Sequence, residues 1–232
     1  MAFFWLEDGR RIAYQEMGCT QKEATRSLLV LHGAFSSRLF AMPGVSRAML
    51  LDFGVRLVSI DRPGYGNSDP NPSQTLEVLH VTLQRVGAFC KKLVEKGHVA
   101  NAFLRTLSSL DIEALSHPHI LDFFLKDRLT SLGGWTNGFG LAKDFQPLTA
   151  PWGFEADELI HSYQHLIHIW QGDQDTAVPL LVQEVMERML PMVRLHKLSG
   201  QGHFAGFYFN NCTHISTLNA IFGRKNDCKA RL

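Results

Sequence analysis

Short continuous apolar runs alternate with helix-period segments along this chain. "FFWLEDGRRIAYQEMG" carries two β-prone runs around Asp8-Gly9, a dipeptide favoured in tight hairpins, and predicts an antiparallel entry to a sheet. "RSLLVLHG" and "VRLVSIDRPG" are rich in Leu, Val and Ile and end in glycine, as expected of parallel strands covered on both faces. The stretch between them, "SSRLFAMPGVSRAMLLDFGV", can supply a crossover helix, completing a βαβ unit. From Pro72 onward, Leu79, Leu83, Val86, Cys90 and Leu93 recur at spacings of four and three, predicting an amphipathic helix to about residue 96, closed by Gly97. Residues 102–132 read as short helices broken at Pro118. The strand-like "LIHIWQGD", the helix-like "LLVQEVMERML" and the strand-like "VRLHKL" come next, so the order is strands, a helical insertion, then βαβ.

The 232 residues suffice for one large α/β domain, and an apolar fraction of 45% is ordinary for a chain with a real core. A net charge of +1, with basic residues clustered only in the terminal "GRKNDCKARL", points away from nucleic acid and from a polybasic membrane anchor. The N-terminus has too few apolar residues before Glu7 and Asp8 for a signal segment, and "SLLVLHGAF" is far below a membrane span. A small-molecule ligand and a cytoplasmic location are expected; the final Ala-Arg-Leu loosely imitates a peroxisomal address and supplies the alternative. Cys19, Cys90, Cys212 and Cys228 lie far apart with no Cys-x-x-Cys pair, as reduced thiols would.

The candidate chemistry lies at strand ends. "LLVLHGAF" ends in His32-Gly33, where backbone N–H groups at a strand's carboxyl end can stabilise an oxyanion. In "GDQDTAVP" either Asp173 or Asp175 could orient a histidine on a neighbouring loop. His203 in "GQGHF" comes 28 residues after Asp175, room for one helix and one strand before the chain returns to the same edge. An Asp-then-His order at consecutive strand ends is the second half of a nucleophile, acid, base series. "HSYQHLIH" spaces His161, His165 and His168 as on one helix face, but the segment turns into a strand and breaks that face, so no metal is expected.

Taken together, "DGRRIAYQEMG", "LLVLHGAFSSR", "GVRLVSIDRPGYGNSD", "GLAKDFQPLTAPWGF", "IHIWQGDQDTAVP" and "GQGHF" resemble an α/β-hydrolase-fold protein of the plant type, in the right order and over most of the chain. The resemblance implies a mostly parallel sheet, a helical cap, no cofactor, and a Ser, Asp, His triad that hydrolyses esters or similar acyl bonds. Asp175 and His203 match its acid and base, and Ala34 matches the backbone donor of its oxyanion hole. Residues 1–97 and 154–223 would form the two parts of the core, 98–153 the cap and 224–232 a basic tail.

The departure lies at the nucleophile. The family carries Gly-x-Ser-x-Gly on a sharp strand-to-helix turn, and this chain has no such pentapeptide. No apolar strand falls between Gly97 and "LSSLDIEALSHPHI", so the central strands around the elbow read as absent, through splicing, a gene-model error or a true deletion. Ser68 in "GNSDP" is the substitute nucleophile with the right chain order, although Pro70 occupies the second small position. Ser116 lacks a preceding strand, and Pro118 biases His117 away from helical conformation. Thr136 in "GWTNG" reads as a turn before a helix, and Cys90 as a packed thiol. Trp152 and Phe154 could line an apolar pocket or seal the cap. Two functions remain open: an acyl hydrolase, weakly active or inactive without its elbow, or a non-catalytic remnant binding a small apolar ligand.

Overall fold

The computed structural model describes residues 1–34, 36–71, 105–137 (of 132–137 the backbone alone), 144, 158, 160, 165–204 and 211–223. The helix expected over 72–96, Cys90, Trp152, Phe154, His161 and the basic tail lie outside them. The chain divides into two compact units, Met1–Ala102 with Pro118–Ala150, and Phe103–His117 with Pro151–Leu232.

Among the described residues, the first unit has a four-stranded sheet ordered β1-β2-β4-β3, comprising β1 Ala2–Trp5, β2 Arg11–Gly18, β3 Arg26–Leu31 and β4 Val55–Ile60. β1 and β2 form the expected antiparallel hairpin, with Ala2 opposite Tyr14 and Trp5 opposite Arg11. Gly9 takes the left-handed conformation at its turn (φ +81°), and Asp8 accepts the Arg10 N–H. β3 and β4 run parallel, Arg26 beside Val55 and Leu31 beside Ile60. Their crossover begins with a 3-10 turn at Arg38–Phe40 and ends in α1 Arg47–Asp52, whose first turn is capped by the Ser46 hydroxyl. The helix is confined to six residues because Pro43 and the left-handed Gly44 (φ +82°) interrupt the segment ahead of it.

β4 alternates as a half-buried strand should: Val55, Leu57 and Ser59 point inward and join Ala13 and Leu50 in the core. β3 differs from the expectation of cover on both faces. Leu29 and Leu31, on one face of the strand, are 60% and 57% exposed. α3, Pro118–Asn137, also belongs to this unit. Pro118 does break the helical region, but the helix it opens runs for 20 residues and is not a short one, since proline is tolerated in a first turn. Phe123 and Phe124 of α3 pack on Phe40, with ring centroids 5.6 and 5.4 Å away.

Asp127 on α3 is buried and accepts three hydrogen bonds, from Ser36 Oγ (2.7 Å), Ser37 N (3.0 Å) and Ser37 Oγ (2.6 Å). Burial pushes its carboxyl above the ordinary range, and the serine donors offset this only in part. A folded pKa above the unfolded one favours folding fully below the unfolded pKa, and that contribution is lost as pH rises through the folded pKa. The charged carboxylate therefore costs stability at neutral pH. Asp127→Asn is expected to melt at a higher temperature than the parent at pH 7, with the gap closing as the pH is lowered; a lower melting temperature at pH 7 would mean that the serine bonds outweigh the desolvation.

Among the described residues, the second unit holds a βαβ element and two further helices. β5 Ile167–Gly172 and β6 Val193–Leu198 pair in parallel, Ile167 beside Val193 and Gly172 beside Leu198, and α4 Leu180–Met189 connects them. α2 Ser109–Ser116 and α5 Asn211–Phe222 are the other helices among the described residues of this unit. His117 ends α2 in extended conformation (φ −73°, ψ 124°), as Pro118 requires. Residues 98–153 are thus shared between the units, α2 in the second and α3 in the first. No described helix is long and apolar enough to cross a membrane.

Candidate active site

The tips of β5 and β6 carry a carboxylate and an imidazole. After Gly172 the chain turns through Asp173 and Gln174 to Asp175, whose main-chain N–H returns to Gly172 O. Asp175 is buried. Its Oδ1 accepts the N–H groups of Ala177 and Val178, both at 2.9 Å, while Oδ2 accepts Gln171 Nε2 (2.6 Å) and lies 2.8 Å from His203 Nδ1. With both oxygens accepting, the imidazole must give its Nδ1 proton to this bond. That leaves Nε2 as the nitrogen with a free lone pair, the arrangement of a general base oriented by an acid.

Of the two aspartates open to this role, Asp173 is engaged elsewhere, its Oδ1 accepting the Gly200 N–H at 2.8 Å. That bond holds the start of the histidine loop while Asp175 holds the ring. The two loops touch closely. Gln174 N donates to Gln201 O at 2.9 Å, and a Cβ on Gly172 would sit 2.1 Å from that same oxygen.

A third carboxylate lies beneath the histidine loop. Asp111, fully buried in the first turn of α2, accepts the Phe204 N–H at 2.7 Å and the Ser108 hydroxyl at 2.7 Å. Burial raises its carboxyl, but the N–H of Phe204, the Ser108 hydroxyl and the main-chain N–H of His203 together hold it below the ordinary carboxylate range. The Ser108-x-x-Asp111 pattern is legible in sequence as a capping box; its second partner, 93 residues away, is not.

In the first unit, the end of β3 is locked by its histidine. His32 Nδ1 lies 2.7 Å from Gly33 O, and its Nε2 accepts the Arg62 N–H at 3.0 Å. Both contacts are satisfied by the neutral Nδ1–H tautomer, and burial lowers the pKa in the same sense. Ala34, the matched oxyanion donor, is exposed in the turn after β3, and its N–H has no acceptor among the described residues. Arg62 Nη1 and Nη2 clamp the carboxylate of Asp144 at 2.6 and 2.9 Å, and the Tyr65 hydroxyl donates to that carboxylate.

Ser68 is almost wholly buried, at 8% exposure. Its hydroxyl donates to Asp61 O at 2.6 Å and accepts the Ala13 N–H at 2.9 Å. The adjacent Asp69 binds Arg11 through both its main chain and its guanidinium, so this loop is stapled to β2. The Ser116 hydroxyl donates to Glu113 O on its own helix, and Thr136 lies in the last turn of α3 rather than in a turn before a helix. His168 belongs to β5, its Nδ1 being 2.8 Å from His196 Nε2 on β6.

Solved structures share this arrangement of elements. A thermophilic esterase from Thermogutta terrifontis superposes with a TM-score of 0.60 at 14% identity, covering 93% of each chain. The enol-lactonase from Burkholderia xenovorans gives 0.59 at 12% identity over 95% of this chain and 98% of its own, and an esterase from Exiguobacterium antarcticum gives 0.53 at 14% over 95% and 97%. No protein-family model and no curated protein matches the sequence. The chain has the α/β-hydrolase fold.

Proposed function

We propose that this chain descends from an ester-type acyl hydrolase, retains its acid and base as Asp175 and His203, and in this form lacks the nucleophile needed for acyl-enzyme turnover. The observation that carries the reading is the contrast between the 2.8 Å bond from His203 to Asp175 and the hydroxyl of Ser68, whose proton is already given to Asp61 O. A base accelerates reaction only when a hydroxyl or water is held within about 3 Å of it. Releasing Ser68 for that task would leave the buried Ala13 N–H without its acceptor, at a cost of roughly 1–3 kcal/mol.

The absent pentapeptide has a second consequence. In this fold one oxyanion donor is the N–H of the residue after the nucleophile, so Ala34 is left as half of a hole. The ligand class is a small ester-like or apolar molecule, since a formal net charge of +1 favours neither nucleic acid nor an anionic membrane.

The test is capture by an alkyl fluorophosphonate, which modifies activated serines. The folded chain is expected to remain unmodified, and stoichiometric modification would overturn the reading.

A further inference from the structure

Asp111 makes no contact with the Asp175 carboxylate, yet it holds the main chain that carries the base. The histidine loop meets it at Gly202 and Phe204, on either side of the base. Phe204 N donates at 2.7 Å, and a Cβ on Gly202 would stand 2.4 Å from both carboxylate oxygens. A glycine at 202 is needed for the carboxylate to approach this closely, since any side chain there would occupy its place. The carboxylate is itself fixed from behind, because its Oδ2 accepts both the hydroxyl and the N–H of Ser108 (2.7 and 3.3 Å) at the start of α2. The residue is fully buried, and anchor and loop lie in the same compact unit.

We propose that Asp111 is a positioning residue for His203, fixing its backbone so that Nδ1 faces Asp175. The role rests on the reading of Asp175 and His203 as an acid and base pair. It divides the labour among three carboxylates: Asp175 orients the ring, Asp173 holds Gly200 and Asp111 holds Phe204. Without Asp111 the buried Phe204 N–H loses its acceptor, and the loop must move to rehydrate it.

The experiment is proton NMR of the imidazole Nδ1 proton of His203 in the full chain, assigned by its disappearance in Asp175→Asn. In the parent this proton, held by a carboxylate, gives a low-field resonance protected from exchange. Asp111→Ala is expected to lose the resonance while melting cooperatively, and Asp111→Asn, which keeps an oxygen for Phe204 N, to retain it. A cooperatively folded Asp111→Ala chain that keeps the resonance overturns the proposal. If that variant does not fold, Gly202→Ala serves instead: its methyl displaces the carboxylate and leaves the side chain of Ser108 in place, so loss supports the role and retention overturns it. A parent with no such resonance overturns the acid and base pair itself, and the positioning role with it.

Discussion

Asp61→Ala is expected to lower the unfolding free energy by about 3–5 kcal/mol, the range for removing one partner of a buried ion pair. Asp61 is wholly buried at the end of β4, where Oδ1 accepts the Arg38 N–H at 2.7 Å and Oδ2 accepts Arg38 Nη1 and, at 2.9 Å, the Asn67 N–H. The Arg38 guanidinium is also buried, so alanine strands a positive charge and two main-chain donors in one place. The neighbouring glycine is adapted to this carboxylate: Gly66 has φ +51°, and a Cβ there would lie 2.1 Å from Asp61 Oδ2. The check is the urea midpoint, or the far-UV signal in cold buffer if the variant is unfolded without denaturant. A loss below about 1 kcal/mol would show that Arg38 finds another acceptor or reaches water.

Gly172→Ala is expected to cost about 1–3 kcal/mol, the usual penalty for forcing volume into a packed site, and to break the contact between Asp175 and His203. The added methyl would meet two main-chain oxygens, Gln201 O at 2.1 Å and Gly202 O at 2.6 Å, neither of which can rotate away as a flexible side chain could. The histidine loop must lift, and the bond from Gln174 N to Gln201 O, 2.9 Å, lifts with it. The two effects separate experimentally: denaturant melting reports the strain, and the low-field His203 proton reports the contact. A variant that melts early but keeps the resonance would place the adjustment in β5 rather than in the loop.

Much of the sheet was legible because its strands are short apolar runs bounded by turn residues. The hairpin at Asp8-Gly9 and the parallel pairs β3 with β4 and β5 with β6 arise from such runs. The exposure of Leu29 and Leu31 was not legible, since whether a strand is covered depends on its neighbours and not on its own residues. At the site, the residues alone left Asp173 and Asp175 both open as partner of His203, and only the resemblance matched Asp175. Both stand at the same strand tip, and the turn decides which carboxylate meets Gly200 N and which meets the ring. Asp111 and Asp127 were missed as anchors for a common reason. Each looks like an ordinary helix residue, and each acts on a loop 93 or up to 91 positions away.

The most direct measurement of the central claim is intact mass after incubation with an alkyl fluorophosphonate, on the parent and on Ser68→Ala, each shown to melt cooperatively. The account predicts no adduct on either chain, leaving His203 a base with no serine to activate. An adduct on the parent that is absent from Ser68→Ala would contradict it and make Ser68 the nucleophile of a working hydrolase.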